Sequence, residues 1–163
     1  MDLIEQYRMM MAQGAFKGIS VIKFADEIGA LCKGHGCKTM LDYGAGQGHQ
    51  YMPPHELQKR WGVEVTCYDP AVSGMEILPA GSFDCVICSD VLEHVPLSDL
   101  DALFADVFAR ATRFAFFTAC CRGAKKVLPN GQNAHCTIMP MDWWQAEIEK
   151  HCGGKKWILR ETP

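Results

Sequence analysis

No stretch of this 163-residue chain approaches the roughly 18–20 consecutive apolar residues that a membrane-spanning helix requires, so no membrane partner is expected. The opening Met1-Asp2-Leu3-Ile4-Glu5 has neither the basic start nor the apolar run of a secretory signal. Positive charge is not in excess. Lys and Arg total 16 against 19 Asp and Glu, a net charge of -3, which disfavours a partner held through nucleic-acid phosphates or an anionic surface. Internal repeats, charge blocks and Pro/Gly/Ser linkers are missing as well, so residues 1–163 read as one domain. An even disulfide framework is also lacking. The nine cysteines are odd in number, and Cys67, Cys85, Cys88, Cys120 and Cys121 sit in apolar runs where a thiol behaves as a small hydrophobe. A reducing, cytoplasmic setting is expected. Hydrophobic residues make up 48% and charged residues 21%, enough to bury a core of this size without staples.

What is there alternates between two periods. Leu3 to Gln13 reads as a helix ending before Gly14. A second is capped by Ser20, carries Val21, Phe24, Ala25, Ile28, Leu31 and Cys32 at helical spacing, and stops at Gly34. Lys38 to Tyr43 reads as a strand running into a glycine turn. Pro53 and Pro54 suit the first turn of a helix that ends at Gly62. Val63 to Tyr68 and Phe83 to Cys88 read as strands, the latter apolar on both faces. Ser98 caps a helix whose stripe is Leu100, Leu103, Phe104, Val107 and Phe108. Phe114 to Cys121 is a further strand, Pro140 to His151 a helix with Trp143 and Trp144 packing on the sheet, and Trp157 to Leu159 the last strand. Strands alternating with helices predict an α/β, three-layer Rossmann-like sandwich with a mostly parallel sheet.

The segment Leu41-Asp42-Tyr43-Gly44-Ala45-Gly46-Gln47-Gly48 carries the most information. A strand that delivers glycines to a helix start lets backbone approach a ligand closely. A dinucleotide fingerprint needs glycine or alanine where His49 stands, so diphosphate binding is disfavoured. Asp69 ends the next strand, where an open α/β sheet places a carboxylate for ribose hydroxyls, although a strand-end Asp also serves as a turn former.

With these residues the chain resembles the class I S-adenosylmethionine-dependent methyltransferases. Asp42 with Gly44, Gly46 and Gly48 matches the family's first motif, Asp69 its second, and Phe83-Asp84 followed by Ser89-Asp90-Val91-Leu92-Glu93-His94-Val95 its fourth strand and exit. The Leu-Glu-His exit is similar to the subgroup containing ubiquinone (type-11) methyltransferases, and the region beyond Phe117 is similar to small bacterial and phage methyltransferase-like proteins. Pro70 to Ser82 is too short for the family's next helix and third strand, and Gly74-Met75 replaces its Asp-Ala, so a sheet shortened from the full seven strands is expected. The resemblance implies S-adenosylmethionine as cofactor. It would be held by Asp42, Tyr43, Gly44, Ala45, Gly46 and Gly48 on the methionine side, by Asp69 and Pro70 at the ribose, and by Ser89, Asp90 and Val91. Methyl transfer to a small-molecule or glycan acceptor is the implied activity, with a non-catalytic cofactor-binding module on the same fold as the alternative.

Methyl transfer needs alignment and exclusion of water, and a base only for an unactivated acceptor. His94 and His135 are the candidate bases, since imidazole titrates near neutral pH. Asp90 and Glu93 rank below them as residues that could equally cap the following helix. Tyr7 and Arg8 are candidate lid residues. Cys32-Lys33-Gly34-His35-Gly36-Cys37 holds ligand types at short range but no fourth partner at zinc spacing, and Cys85 and Cys88 should face opposite sides of a strand, so no metal is expected. Neither an Asn/Asp-Pro-Pro-Tyr/Phe motif nor a Pro-Cys pair is present, and nucleic-acid substrates are disfavoured.

Overall fold

A strand buried between two helix layers must be apolar on both sides, and β3 (Phe83–Ser89) shows the consequence. In the computed structural model, which describes residues 1–163, its Cys85 and Ile87 enter one core while Val86 and Cys88 enter the other. Neighbouring residues on a strand point to opposite faces, so Cys85 and Cys88, three apart, diverge as the spacing predicts. The same alternation splits β1 (Thr39–Tyr43), with Met40 on one side and Leu41 and Tyr43 on the other. With β2 (Glu64–Tyr68), β4 (Ala111–Ala119) and β5 (Trp157–Glu161) these strands form one five-stranded sheet in the order β2-β1-β3-β4-β5, every pair parallel.

One face is covered by α2 (Ala25–Gly34) and α3 (Leu57–Trp61), through Ile28, Cys32, Leu57 and Trp61. The other is covered by α4 (Leu100–Arg110) and α5 (Met141–His151), with Phe104, Trp144 and Ile148 fully buried. Each such side chain contributes about 1.5–3 kcal/mol by leaving water. This is the shortened Rossmann-like sandwich that the sequence predicts, all-parallel rather than mostly so. No strand forms between Asp69 and Phe83, which leaves β2 at the sheet edge. The chain passes from β1 to β2 on one side and then to β3 on the other, placing the topological switch between β1 and β3. No helix is long and apolar enough to cross a membrane.

Several local readings need correction. Ser20 and Ser98 cap nothing: each lies within a short 3₁₀ turn that precedes its helix, and the Ser98 hydroxyl donates to Asp99 instead. Pro53 and Pro54 lie in a turn, since α3 starts only at Leu57. β4 starts at Ala111 and ends at Ala119, because pairing with Phe83 recruits the exposed Thr112 and Arg113 into the strand. Cys120 and Cys121 therefore lie beyond it. The first helix, α1 (Leu3–Ala12), is capped by Asp2, whose carboxylate accepts the Glu5 N–H at 2.8 Å.

Candidate active site at the carboxyl ends of the strands

Gly44, Gly46 and Gly48 all adopt positive φ (86°, 57° and 73°), which explains the glycines conformationally. Close packing explains two of them further. A Cβ on Gly44 would lie 2.2 Å from Val91 Cγ2, and one on Gly46 would lie 2.5 Å from the Phe16 carbonyl oxygen. The turn is tightly satisfied. Gly44 and Ala45 donate to the Tyr68 carbonyl at 2.7 and 3.0 Å, Gln47 to Phe16 at 3.1 Å and His49 to Lys17 at 3.1 Å. Gly48 donates to Ala45 at 3.3 Å, and Gly46 to Asp69 Oδ2 at 2.9 Å. With every N–H from Gly44 to His49 engaged, the turn offers no donor cradle for a diphosphate, in keeping with His49 breaking the dinucleotide fingerprint. Gly46→Ala should destabilise the fold by about 1–3 kcal/mol through left-handed strain alone, before the clash with Phe16, and a lowered urea midpoint would register it.

The two acids differ in role. Asp42 is 3% exposed and accepts from Gln50 Nε2 at 2.9 Å and Tyr51 Oη at 2.6 Å; burial pushes its carboxyl up to about 6. It anchors the segment after the glycine turn from beneath. Asp69 turns toward that turn, accepting from Gly46 with one oxygen and from Ala71 N–H at 2.9 Å with the other. Burial raises its pKa, and these two N–H groups counter the rise.

Outside the strand ends lies a cavity of about 620 Å³, within the range of small-ligand pockets. Its floor is Gly44, Gly46, Asp69, Ser89, Asp90 and Glu93. Its roof is α1 and the segment 14–20, including Tyr7 and Phe16. The roof is strapped down. Tyr7 Oη donates to the Ala134 carbonyl at 2.7 Å, Gln47 Nε2 donates to the Ala15 carbonyl at 2.6 Å, and the Asn130 N–H donates to Gln6 Oε1 at 3.1 Å. Arg8 reaches the Pro70 carbonyl at 3.4 Å. Tyr7→Phe should cost about 1 kcal/mol and speed amide exchange in α1, because the Ala134 carbonyl loses its hydroxyl partner.

At one end of the cavity ionisable groups gather. Ser89 and Asp90 are pinned through Thr118: Oγ to Oγ1 is 3.1 Å, and Thr118 Oγ1 donates to Asp90 Oδ1 at 3.0 Å. Asp90 itself sits at φ 55°, and its carboxylate also accepts from the Thr162 hydroxyl. Glu93 is 1% exposed, and its Oε2 has no partner. Burial, with the nearby Asp90 charge, pushes its carboxyl up to about 8. Glu93, Cys120 and His135 bring their functional atoms within 4.8 Å of one another. His135 Nδ1 lies 2.6 Å from the Arg122 carbonyl and His94 Nδ1 2.8 Å from the Ala134 carbonyl; both therefore donate from Nδ1 and leave Nε2 as the basic nitrogen. Burial drives His94 down to about 4, so at neutral pH it is a weak base wedged among Tyr7, Phe16 and His135.

A family model described as a methyltransferase domain matches residues 21–152, more than half of the chain. The chain belongs to that methyltransferase-domain family. No curated protein and no solved structure matches it. Members of the family generally use S-adenosylmethionine.

Within this methyltransferase domain, the cavity is lined by Gly44, Gly46, Asp69, Pro70, Ser89, Asp90 and Val91, and by His94 and His135. Asp42, Tyr43, Ala45 and Gly48 do not line it. Tyr43 turns to the opposite core and bonds Asp106 at 3.5 Å, and Asp42 is sealed by Gln50 and Tyr51. Trp143 and Trp144 serve the core beneath α5 and do not form a substrate wall. Sequence reasoning took Cys120 for an inert buried thiol, whereas Glu93 and His135 lie beside it, and it missed Arg122 and the Phe16-Lys17-Gly18 roof. Its available signal was Gly18, where a Cβ would lie 2.3 Å from the Ala45 carbonyl oxygen. A neutral His94 also has a measurable consequence. An unfolded histidine protonates near 6.5 and the folded one only near 4, so the contribution of His94 to stability is lost as pH drops through that window, against the opposite trend from the raised carboxyls of Asp42 and Glu93. Relative to wild type, His94→Asn should therefore gain stability as pH falls from 7 to 4 in urea titrations.

Proposed function

We propose that this domain transfers a methyl group from S-adenosylmethionine to a small-molecule or glycan acceptor, in a reducing, cytoplasmic compartment suited to its nine free thiols. The observation that carries the reading is the floor of the cavity: three carboxyl groups, Asp69, Asp90 and Glu93, beside apolar Val91 and a glycine turn with no free N–H. That floor suits a cation with a ribose and an apolar body, and its glycine turn offers a polyphosphate no free backbone donor. When bound, S-adenosylmethionine supplies a methyl group on positively charged sulfur, a leaving group already activated.

The chain's own residues have the remaining tasks. Asp69 uses lone pairs beyond those engaged by Gly46 and Ala71 to accept from ribose hydroxyls, with Pro70 alongside. Ser89, Asp90 and Val91 flank the methionine and adenosine portions, and the strapped roof over them excludes water. Glu93 Oε2 takes the proton that the acceptor's hydroxyl or amine gives up as it gains the methyl group. His135, which has a ring nitrogen within 4.8 Å of a Glu93 carboxylate oxygen, passes that proton on toward solvent. His94, held neutral, shapes the wall. Lys17, Arg122, Lys125 and Lys126 lie along the same cavity and favour an acceptor bearing an anionic group, while the net charge of -3 argues against nucleic acid. The Leu92-Glu93-His94 exit supports kinship with the ubiquinone-type subgroup.

Calorimetry and thermal shift with S-adenosylmethionine, S-adenosylhomocysteine and NAD test the reading, followed by S-adenosylhomocysteine release across acidic and phenolic acceptors. Stabilisation by the first two and turnover are expected. Stabilisation by NAD alone overturns the assignment, and tight binding without turnover favours a non-catalytic module.

A further inference from the structure

The motif between Cys32 and Cys37 has no part in the cavity chemistry, and it gains a third member from a distant strand. Cys32 lies in the last turn of α2, Cys37 in the loop before β1, and Cys85 near the start of β3, whose far end, at Ser89, lines the cavity. All three are buried, and their sulfurs lie within 4.8 Å of one another, with Cys32 and Cys85 at 3.9 Å. That separation is far beyond a disulfide bond of about 2.05 Å. It matches the edge of a tetrahedron of sulfurs about 2.3 Å from zinc, roughly 3.8 Å. We propose that Cys32, Cys37 and Cys85 form a trithiolate site for a thiophilic d¹⁰ cation of the Zn²⁺ type, clamping the end of α2 to the start of β3.

The donor set selects the ion. Three sulfurs with no carboxylate or imidazole among them suit Zn²⁺ or softer ions and disfavour Mg²⁺ and Ca²⁺. His35 is not in this cluster, and its Nε2 lies 2.9 Å from Lys156 Nζ. A cleft of about 430 Å³ lined by Cys32, Cys37, Lys38 and Arg60 gives the ion a way in and leaves room for a water as fourth ligand. Binding one dication releases the three thiol protons and leaves a net charge of one negative at the site.

The test is a Co²⁺ titration of the full-length, reduced, chelator-treated protein, followed by Zn²⁺ displacement. A near-ultraviolet sulfur-to-cobalt band saturating at one equivalent is expected, retained in Cys120→Ser and lost in Cys37→Ser. Saturating Zn²⁺ at about 100 times its dissociation constant should raise the wild-type melting temperature by about 5–10 °C and leave Cys37→Ser unmoved. Should Cys37→Ser fail to fold, Zn²⁺ protection of Cys32, Cys37 and Cys85 from alkylation in the wild type, read by mass spectrometry, decides the matter. No cobalt band, no protection, or a band lost only in Cys120→Ser would overturn the proposal; the last would move the ion to Glu93, Cys120 and His135.

Discussion

Glu93→Gln should lower the rate of S-adenosylhomocysteine production by about 100- to 10,000-fold while leaving S-adenosylmethionine affinity within a few-fold. The substitution keeps the shape and removes only the group that can take a proton. Three signatures separate this from general damage. First, the wild-type rate should climb with pH through about 8 as the carboxyl ionises, and the variant should show no such climb. Second, stability should move the opposite way. An unfolded Glu ionises near 4.5 whereas the folded one holds its proton to about 8, so between these values this side chain carries an extra proton in the folded state and its contribution to stability declines as pH rises. By pH 8 that loss amounts to roughly 3–5 kcal/mol, at 1.36 kcal/mol per pH unit. Third, the Gln variant is spared this loss, so above pH 8 it should be the more stable of the two in urea. An acid that is inert in the reaction would reproduce the stability difference and leave the rate untouched.

The same carboxyl shows where the sequence stops being informative. The alternation in Phe83 to Cys88 and the stripe from Leu100 to Phe108 are local patterns, and burial on two faces or one follows from their period, so strands, helices and the parallel sheet were all legible. The glycine turn and Asp69 were legible for the same reason, since backbone sign and strand-end position are set within a few residues. Proton affinity is not local. Glu93 and His94 are neighbours in the chain, yet burial moves one up to about 8 and the other down to about 4. Burial disfavours the charged form of both, which raises an acid and lowers a base; the Asp90 charge adds to the rise at Glu93, and the Ala134 carbonyl only partly offsets the fall at His94. The proposed mechanism accordingly gives the role of base to Glu93, whereas unperturbed titration alone ranks the histidines first. Cap positions failed for a smaller reason: Ser20 and Ser98 are good capping residues, but each was drawn into a 3₁₀ turn ahead of its helix and so does not stand at the helix start.

Asp69→Ala should weaken S-adenosylmethionine binding about 10- to 100-fold, the worth of a hydrogen bond to a charged group at 1.5–3 kcal/mol. Two effects contribute, and they can be separated. The direct one is loss of the ribose acceptor. The indirect one is loss of the brace between β2 and the glycine turn, because the Gly46 and Ala71 N–H groups would both be left without their carboxylate oxygens. An orphaned buried N–H costs a further 1–3 kcal/mol, which lowers the urea midpoint with no ligand present. Asp69→Asn divides the two. Its amide keeps one acceptor and sets a donor against one of those N–H groups, so the brace is only half restored and the negative charge is gone. If the carboxylate grips the ligand, affinity in Asp69→Asn should stay at least 10-fold below wild type even at temperatures where the melting curve shows full folding. If the brace alone matters, affinity should recover in step with stability across the two variants. An unchanged dissociation constant in a folded Asp69→Ala protein would place the ligand elsewhere in the cavity, with Asp90 and Glu93 as the remaining acids able to face a cation.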